Sequence, residues 1–119
     1  MELATVQMAK AAKARNNGFF VLDTTVKSGD KRFAPSWAIV MRYKEDGDEA
    51  AYTKVYVEMM RKSYRENTAA WLELLKQPKL ALACYCRADA FCHRILLADM
   101  LVKVGARQGV SVELVGEYR

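Results

Sequence analysis

The segment that decides the fold is Lys79-Leu80-Ala81-Leu82-Ala83-Cys84-Tyr85-Cys86, followed directly by Arg87-Ala88-Asp89-Ala90-Phe91-Cys92-His93-Arg94. After Lys79, its first part has no charged residue and no alternation of polar with apolar residues, which is typical of a central strand covered on both faces. Its second part opens an apolar stripe at helical spacing that ends at Gly105. We therefore expect a buried strand over residues 80–86 that turns into a helix over residues 91–104.

Further strands are predicted on both sides of this segment. Phe19-Phe20-Val21-Leu22 is a short run of strand-forming residues that turns polar at Asp23, as the carboxyl end of a buried parallel strand often does. Apolar residues alternate with polar ones from Val110 to Leu114, which indicates a last strand with one buried face.

Helical patterns fill the remaining intervals. Residues 2–15 are predicted to form a helix that ends at Asn16-Asn17-Gly18. Ser36 is suited to cap a short helix, although residues 38–43 fit a strand equally well. A longer amphipathic helix is expected to start near Asp48. This order predicts the α/β class, as one three-layer Rossmann-like domain over residues 1–119 with a small, mostly parallel sheet flanked by helices.

Composition is that of an ordinary globular domain. Of the 119 residues, 52% are hydrophobic and 28% are charged, so a single core is expected. No apolar stretch approaches the roughly 20 residues that span a bilayer. The first residues lack the basic start and the apolar run of a secretory signal. We expect a cytoplasmic protein that does not enter a membrane.

Charge and cysteine content narrow the classes of function. The net charge of +5 fits an anionic partner such as a nucleotide, another phosphorylated small molecule or nucleic acid, and a solvated basic surface explains it equally well. All three cysteines lie between Cys84 and Cys92. An odd number in one short segment indicates a local cluster and argues against a disulfide framework.

The residues that carry chemistry concentrate at the turn between strand 80–86 and helix 91–104. In open α/β folds, ligands bind outside the carboxyl ends of the strands. The first amides of a helix favour anions and thiolates. The catalytic candidates are Cys86, Cys92 and His93. The ligand-binding candidates are Asp23, Ser28, Arg87, Asp89 and Arg94.

Four interpretations of this turn stay open. The cysteines act as small buried hydrophobes, or helix amides and arginines hold an anion, or a thiolate assisted by His93 performs nucleophilic or redox chemistry. The fourth is a zinc site formed by Cys84, Cys86, Cys92 and His93. Adjacent residues of a helix diverge by about 100°, and the ligand spacing is unusual for zinc, so we expect no metal and no cofactor.

The same residues carry a resemblance to a family. The specific part is Cys84-Tyr85-Cys86 with Phe91-Cys92-His93-Arg94, and Phe33-Ala34-Pro35-Ser36 and Trp71-Leu72 precede it in the expected order. Residues 19–116 thereby resemble the domain-of-unknown-function 488 family of small bacterial and phage α/β proteins. The resemblance implies a Rossmann-like sheet with polar residues at the strand ends and leaves residues 1–16 outside it. It implies no settled activity.

The expected function is that of a small cytosolic protein that binds a phosphorylated or nucleotide-like anion at the turn between strand 80–86 and helix 91–104. The residues leave open whether a reaction takes place there. The alternative is a non-catalytic interaction module, such as a phage-type binder of a host protein or of nucleic acid, in which the cysteine cluster is only core.

Overall fold

A parallel sheet organises the computed structural model, which describes residues 1–87 and 90–119. In this part of the chain four strands pair in the order β2-β3-β1-β4, and every neighbouring pair is parallel. The strands are β1 (Glu2–Gln7), β2 (Phe20–Asp23), β3 (Lys79–Cys84) and β4 (Glu113–Tyr118). The α-helices are α1 (Ala11–Asn16), α2 (Trp37–Asp46), α3 (Glu49–Glu66), α4 (Thr68–Leu75) and α5 (His93–Arg107).

The size of the strand side chains explains how the layers form. In β3, Leu80 and Leu82 belong to a large core that includes residues of α3, α4 and α5. Ala81 and Ala83 face the opposite side, where they pack with Ala14 of the short helix α1. Large side chains thus face the thick helical layer and small ones the thin layer, because successive strand residues point to opposite faces. The predicted three-layer, Rossmann-like α/β fold is confirmed.

The prediction of a helix over residues 2–15 is wrong for its first half. Glu2–Gln7 forms β1, which pairs with β3 on one side and with β4 on the other. Leu3 and Val6 are fully buried there. Hydrogen bonding to two neighbours outweighs the helical preference of residues such as Glu, Leu and Ala, since propensity is a weak prior against tertiary context. The helix starts only at Ala11, and it ends as predicted before Gly18, whose φ is 89°.

Several boundaries differ from the sequence-based ones by a few residues. β3 ends at Cys84 and α5 begins at His93, so the turn that carries the candidate residues is longer than expected. β4 begins at Glu113, opposite Glu2 of β1, whereas the last strand was predicted from residue 110. Residues 38–43 are helical, and the Ser36 hydroxyl caps α2 by accepting from the Ile39 amide at 3.3 Å.

Parallel pairing places the carboxyl ends of the strands at one edge of the sheet, and α5 starts above that edge. The end of β2 is tied to β3 because the Thr24 amide donates to the Ala83 carbonyl at 3.0 Å. The turn between β3 and α5 therefore faces the residues that follow β2. None of the helices in the described ranges has the length and hydropathy that a membrane crossing requires.

Candidate functional site

Three sulfurs and one imidazole converge at the carboxyl edge of the sheet. This thiol–imidazole cluster consists of Cys84 at the end of β3, Cys86 in the following turn, Cys92 at the cap of α5 and His93 in its first position. The Cys84 sulfur lies 3.4 Å from the Cys92 sulfur and 3.6 Å from the Cys86 sulfur. Cys92 Sγ and His93 Nδ1 are 3.5 Å apart. The three sequence-predicted catalytic candidates thus lie together, and Cys84 joins them.

The hydrogen bonds of His93 fix which ring nitrogen faces the sulfurs. Its Nε2 lies 2.6 Å from the Thr24 carbonyl oxygen, which only accepts, so Nε2 carries the hydrogen. Burial lowers the pKa of His93, and the Arg94 charge acts in the same direction, so the ring is neutral at pH 7. Nδ1 therefore presents a lone pair to the cluster. His93 is buried, as its place on the apolar stripe of helix 91–104 predicts, and its partner is a backbone carbonyl.

The three thiols differ in pKa because they contact one another. The pKa of Cys84 is lowered far below its ordinary value, because its side-chain hydrogen bonds with Cys86 and Cys92 favour the thiolate and outweigh the effect of burial. The pKa values of Cys86 and Cys92 are raised, chiefly by their hydrogen bonds with Cys84. The cluster thus favours a negative charge shared around Cys84.

Two residues that the sequence reasoning missed support the imidazole. Thr24 is fully buried; its hydroxyl lies 3.0 Å from His93 Nε2 and donates to the Ala83 carbonyl at 2.8 Å. The Tyr56 ring lies 5.6 Å from the His93 ring and is itself fixed by a hydrogen bond to the Phe33 carbonyl at 2.7 Å. The helical period of α3 predicts that Tyr56 is buried, whereas no sequence pattern pairs Thr24 with His93.

Arg94 lies on the other side of the start of α5, where two of its three guanidinium nitrogens bond to protein groups and its buried Nε has no hydrogen-bond partner among the described residues. Its guanidinium donates to the Val6 carbonyl at 3.0 Å and to the Arg87 carbonyl at 2.9 Å, and it lies 3.4 Å from a Glu117 carboxylate oxygen. The side chain is fully buried. Its observed partners belong to β1, to β4 and to the turn, so its role in this structure is to hold these segments together.

The other ligand-binding candidates that the structure describes are either held in hydrogen bonds with neighbouring residues or exposed. Asp23 accepts from the Thr25 amide at 2.9 Å and from the Ser28 hydroxyl at 2.7 Å. Burial raises the pKa of Asp23, but these hydrogen bonds outweigh it and the pKa is lowered. Arg87 is exposed beside Cys86, and Asp89 lies outside the described residues. A phosphorylated or nucleotide-like ligand at this turn stays a prediction.

Comparison with known proteins assigns the chain to a family. A family model described as the active DUF488-N3 subclade, DUF488-N3a, matches residues 7–105. The chain belongs to the DUF488 family. The resemblance expected from the sequence is confirmed, and the family match begins at residue 7 in β1, earlier than the expected residue 19. It includes the whole thiol–imidazole cluster and ends before β4. No curated protein and no solved structure matches the chain.

Proposed function

We propose that this DUF488 protein binds a zinc-class metal ion through the thiol–imidazole cluster. The observation that carries the proposal is that the ligand atoms of Cys84, Cys92 and His93 all lie within 4.8 Å of one another in a buried position. Thiolate and imidazole are the ligands that zinc prefers in proteins. Cys86 lies outside this group, but its sulfur is 3.6 Å from that of Cys84, so it offers a fourth donor.

The separations between the donor atoms support this assignment. For bonds of about 2.3 Å to sulfur and about 2.0 Å to nitrogen, tetrahedral geometry separates two sulfurs by about 3.8 Å and a sulfur from a nitrogen by about 3.5 Å. Within the group, the Cys84 and Cys92 sulfurs are 3.4 Å apart and Cys92 Sγ lies 3.5 Å from His93 Nδ1. Small movements of these three side chains therefore suffice to coordinate an ion, whereas Cys86, 3.6 Å from Cys84 but outside the group, has to move further to join them.

The orientation of His93 favours the same function. A metal-binding histidine generally donates its other N–H to a carbonyl or carboxylate, which fixes the ring and directs the lone pair at the metal. His93 Nε2 has such a partner in the Thr24 carbonyl, and Nδ1 faces Cys92. This proposal departs from our sequence-based expectation of a metal-free site. That expectation rested on the unusual ligand spacing and on the divergence of Cys92 and His93 on a helix, but Cys92 precedes α5 in an extended conformation with φ of −157°, which removes the second reason.

A metal-free thiolate nucleophile is the second candidate function, and the lowered pKa of Cys84 favours it. Against it stands the burial of the sulfur: Cys84 is only 5% exposed, and reactive cysteines are partly exposed to their substrates. A buried thiolate without a neighbouring positive charge is costly, and the guanidinium of Arg94 is already bound by protein acceptors. A divalent ion would supply that charge.

Elemental analysis of the full chain, purified under reducing conditions, tests the metal proposal. We expect about one zinc ion per chain, lost together with part of the thermal stability on chelation, because metal binding contributes folding free energy. Cys84→Ser and His93→Gln should each abolish stoichiometric binding. Tyr85→Ala is the matched control, since Tyr85 lies in the same turn but is 69% exposed.

A second measurement covers variants that fail to fold. The metal-free wild-type chain is titrated with Co²⁺, and sulfur-to-cobalt charge-transfer absorption is expected to saturate at one equivalent. A chain that takes up neither ion overturns the proposal. In that case rapid alkylation of a single thiol at neutral pH supports the nucleophile instead.

A further inference from the structure

We propose that the metal centre is an open one: Cys84, Cys92 and His93 are its permanent ligands, and the position on the Cys86 side is exchangeable and accepts a small anion. This inference rests on the proposed metal binding and adds a chemical role to it. Structural zinc sites are closed by four protein ligands, whereas catalytic sites keep three and leave one position for water or substrate. Two cysteines and one histidine form one of the known catalytic ligand sets.

Burial separates the four donors into three and one. Cys84, Cys92 and His93 are 5%, 3% and 5% exposed, whereas Cys86 is half-buried. The exposed side of the cluster is therefore the side on which Cys86 lies. A ligand from solvent reaches the ion from that side only by taking the place of Cys86.

The backbone also distinguishes Cys86 from the other three donors. Cys84 is the last residue of β3, His93 is the first residue of α5 and Cys92 caps that helix, so all three are held by regular elements. Cys86 lies in a bend that belongs to neither element. Among the described residues, the donors that all lie within 4.8 Å of one another are Cys84, Cys92 and His93, and Cys86 is not in that group. Displacing Cys86 therefore disturbs neither the sheet nor the helix.

The surroundings of the exchangeable position favour an anion. Tyr85 and Arg87, which flank Cys86, are both exposed. Arg94 holds the backbone of this turn, since it donates to the Arg87 carbonyl at 2.9 Å and leaves the Arg87 side chain outside that bond. An anion that approaches the ion on this side thus has the exposed cation of Arg87 one residue from Cys86, in addition to the charge of the metal.

The exchange step is a simple substitution of ligands. With an ion bound, the metal–Cys86 Sγ bond would break as a lone pair of the anion's donor atom forms a bond to the metal, and the released thiolate would take a proton from water, which leaves hydroxide to the buffer. No electron is transferred. A water molecule in the same position would have its pKa lowered towards neutrality by zinc, and a bound carbonyl or phosphoryl oxygen would be polarised.

Cobalt spectroscopy with azide as the probe tests the exchange. The Co²⁺-loaded Cys86→Ala variant should keep one equivalent of metal and lose about one third of its sulfur charge-transfer intensity, because one of three metal–sulfur bonds is removed. Azide should shift its d–d absorption in a saturable way and bind at least about tenfold more tightly than to the wild-type chain, where it competes with Cys86. Inorganic phosphate serves as a second probe.

Two further variants test whether the anion binds near Arg87. Arg87→Ala should weaken azide binding to the cobalt protein about threefold or more, an effect that salt screens. Lys103→Ala is the matched control, because Lys103 is an exposed cation near the far end of α5. It should change azide binding little.

The outcomes separate this inference from the function on which it rests. Failure of the wild-type chain to bind cobalt overturns both. Stoichiometric cobalt in the wild-type chain overturns the open centre alone if Cys86→Ala and Cys86→Ser both lose the metal, because Cys86 is then a fixed fourth ligand. The same holds if the loaded Cys86→Ala variant does not respond to azide.

Discussion

The first turn of α5 separates two buried polar groups, which differ in the bonding capacity that they leave unused. Cys92 and His93 face β2 and β3, whereas Arg94 faces β1 and β4. His93 and Arg94 are buried to a similar degree. The imidazole keeps a lone pair 3.5 Å from the Cys92 sulfur, while two of the three guanidinium nitrogens donate to protein acceptors and the buried Nε has no partner among the described residues. Burial and an unused polar atom therefore do not by themselves identify a functional group; the cluster differs because several unused donor atoms converge there.

The arginine side is a buried ion pair with its own hydrogen bonds. The Glu117 carboxylate lies 3.4 Å from the Arg94 guanidinium and accepts from the Thr5 hydroxyl at 2.6 Å. These contacts join the last strand to the centre of the sheet. We infer that the arginine side stabilises the fold and that the cluster side carries the chemistry, and three predictions separate the two.

The largest effect is expected from Arg94→Met. Removal of the guanidinium leaves the Glu117 carboxylate buried without its countercharge, which costs about 3–5 kcal/mol of unfolding free energy. Urea denaturation of the chelator-treated chain measures this loss. Arg32→Met is the matched control, because Arg32 also pairs with a carboxylate but is 50% exposed, and such pairs contribute below about 1 kcal/mol.

Equal losses in these two variants would contradict the structural role of Arg94. Adding Glu117→Gln to Arg94→Met should recover part of the stability, since the unpaired charge is then removed as well.

An intermediate effect is expected from Thr24→Val. The variant loses the hydroxyl that bonds to the Ala83 carbonyl and contacts His93, at a cost of about 1 kcal/mol in stability. Metal affinity should fall about tenfold, the lower end of the range for outer partners, because the Thr24 carbonyl still holds the imidazole. Competition with a chromophoric chelator measures the affinity.

Thr5→Val is the matching variant on the arginine side. It removes a partly buried hydroxyl that bonds to Glu117, so a similar loss of stability is expected without a change in metal affinity. If both threonine variants weaken metal binding equally, the two sides of α5 are not separate.

The smallest effect concerns acid stability near the cluster. The pKa of Asp23 is lowered, so its contribution to stability is present above the ordinary value of 3.8 and is lost as the pH falls through the lower folded value. Asp23→Asn should therefore flatten the acid limb of the unfolding free energy by less than about 1 kcal/mol. Urea denaturation at a series of pH values from 3.8 downwards measures this change in unfolding free energy.

Asp30 provides the comparison for Asp23. Its pKa is lowered chiefly by hydrogen bonds from Arg32, with which it forms an exposed ion pair. High salt should therefore weaken the contribution of Asp30 and leave that of Asp23, which depends on the Thr25 amide and the Ser28 hydroxyl. An equal salt dependence of the two Asn variants would contradict this distinction.

The sequence by itself determined the class of fold and the location of the site. The unbroken apolar run of β3 and the helical period of α5 each depend on neighbours within a few residues, so local patterns identify them. The same patterns place Cys86, Cys92 and His93 at the carboxyl edge of the sheet and predict that His93 is buried. The local patterns predicted a helix at Glu2–Gln7, where pairing with two distant strands overrides the helical preference and forms a strand.

Only the tertiary structure decided which groups in the site remain free to act. Apart from Arg87, which is seven residues away, the partners of Arg94 are Val6 and Glu117, and that of His93 is Thr24. Arg94 and Val6 are 88 positions apart. No local period relates these distant residues, because their contact depends on the order of strands in the sheet. Side-chain bonding capacity is a property of the sequence, but whether the fold consumes it is decided by these long-range contacts. In this protein they bind two of the three arginine nitrogens and leave the sulfurs and the imidazole next to one another.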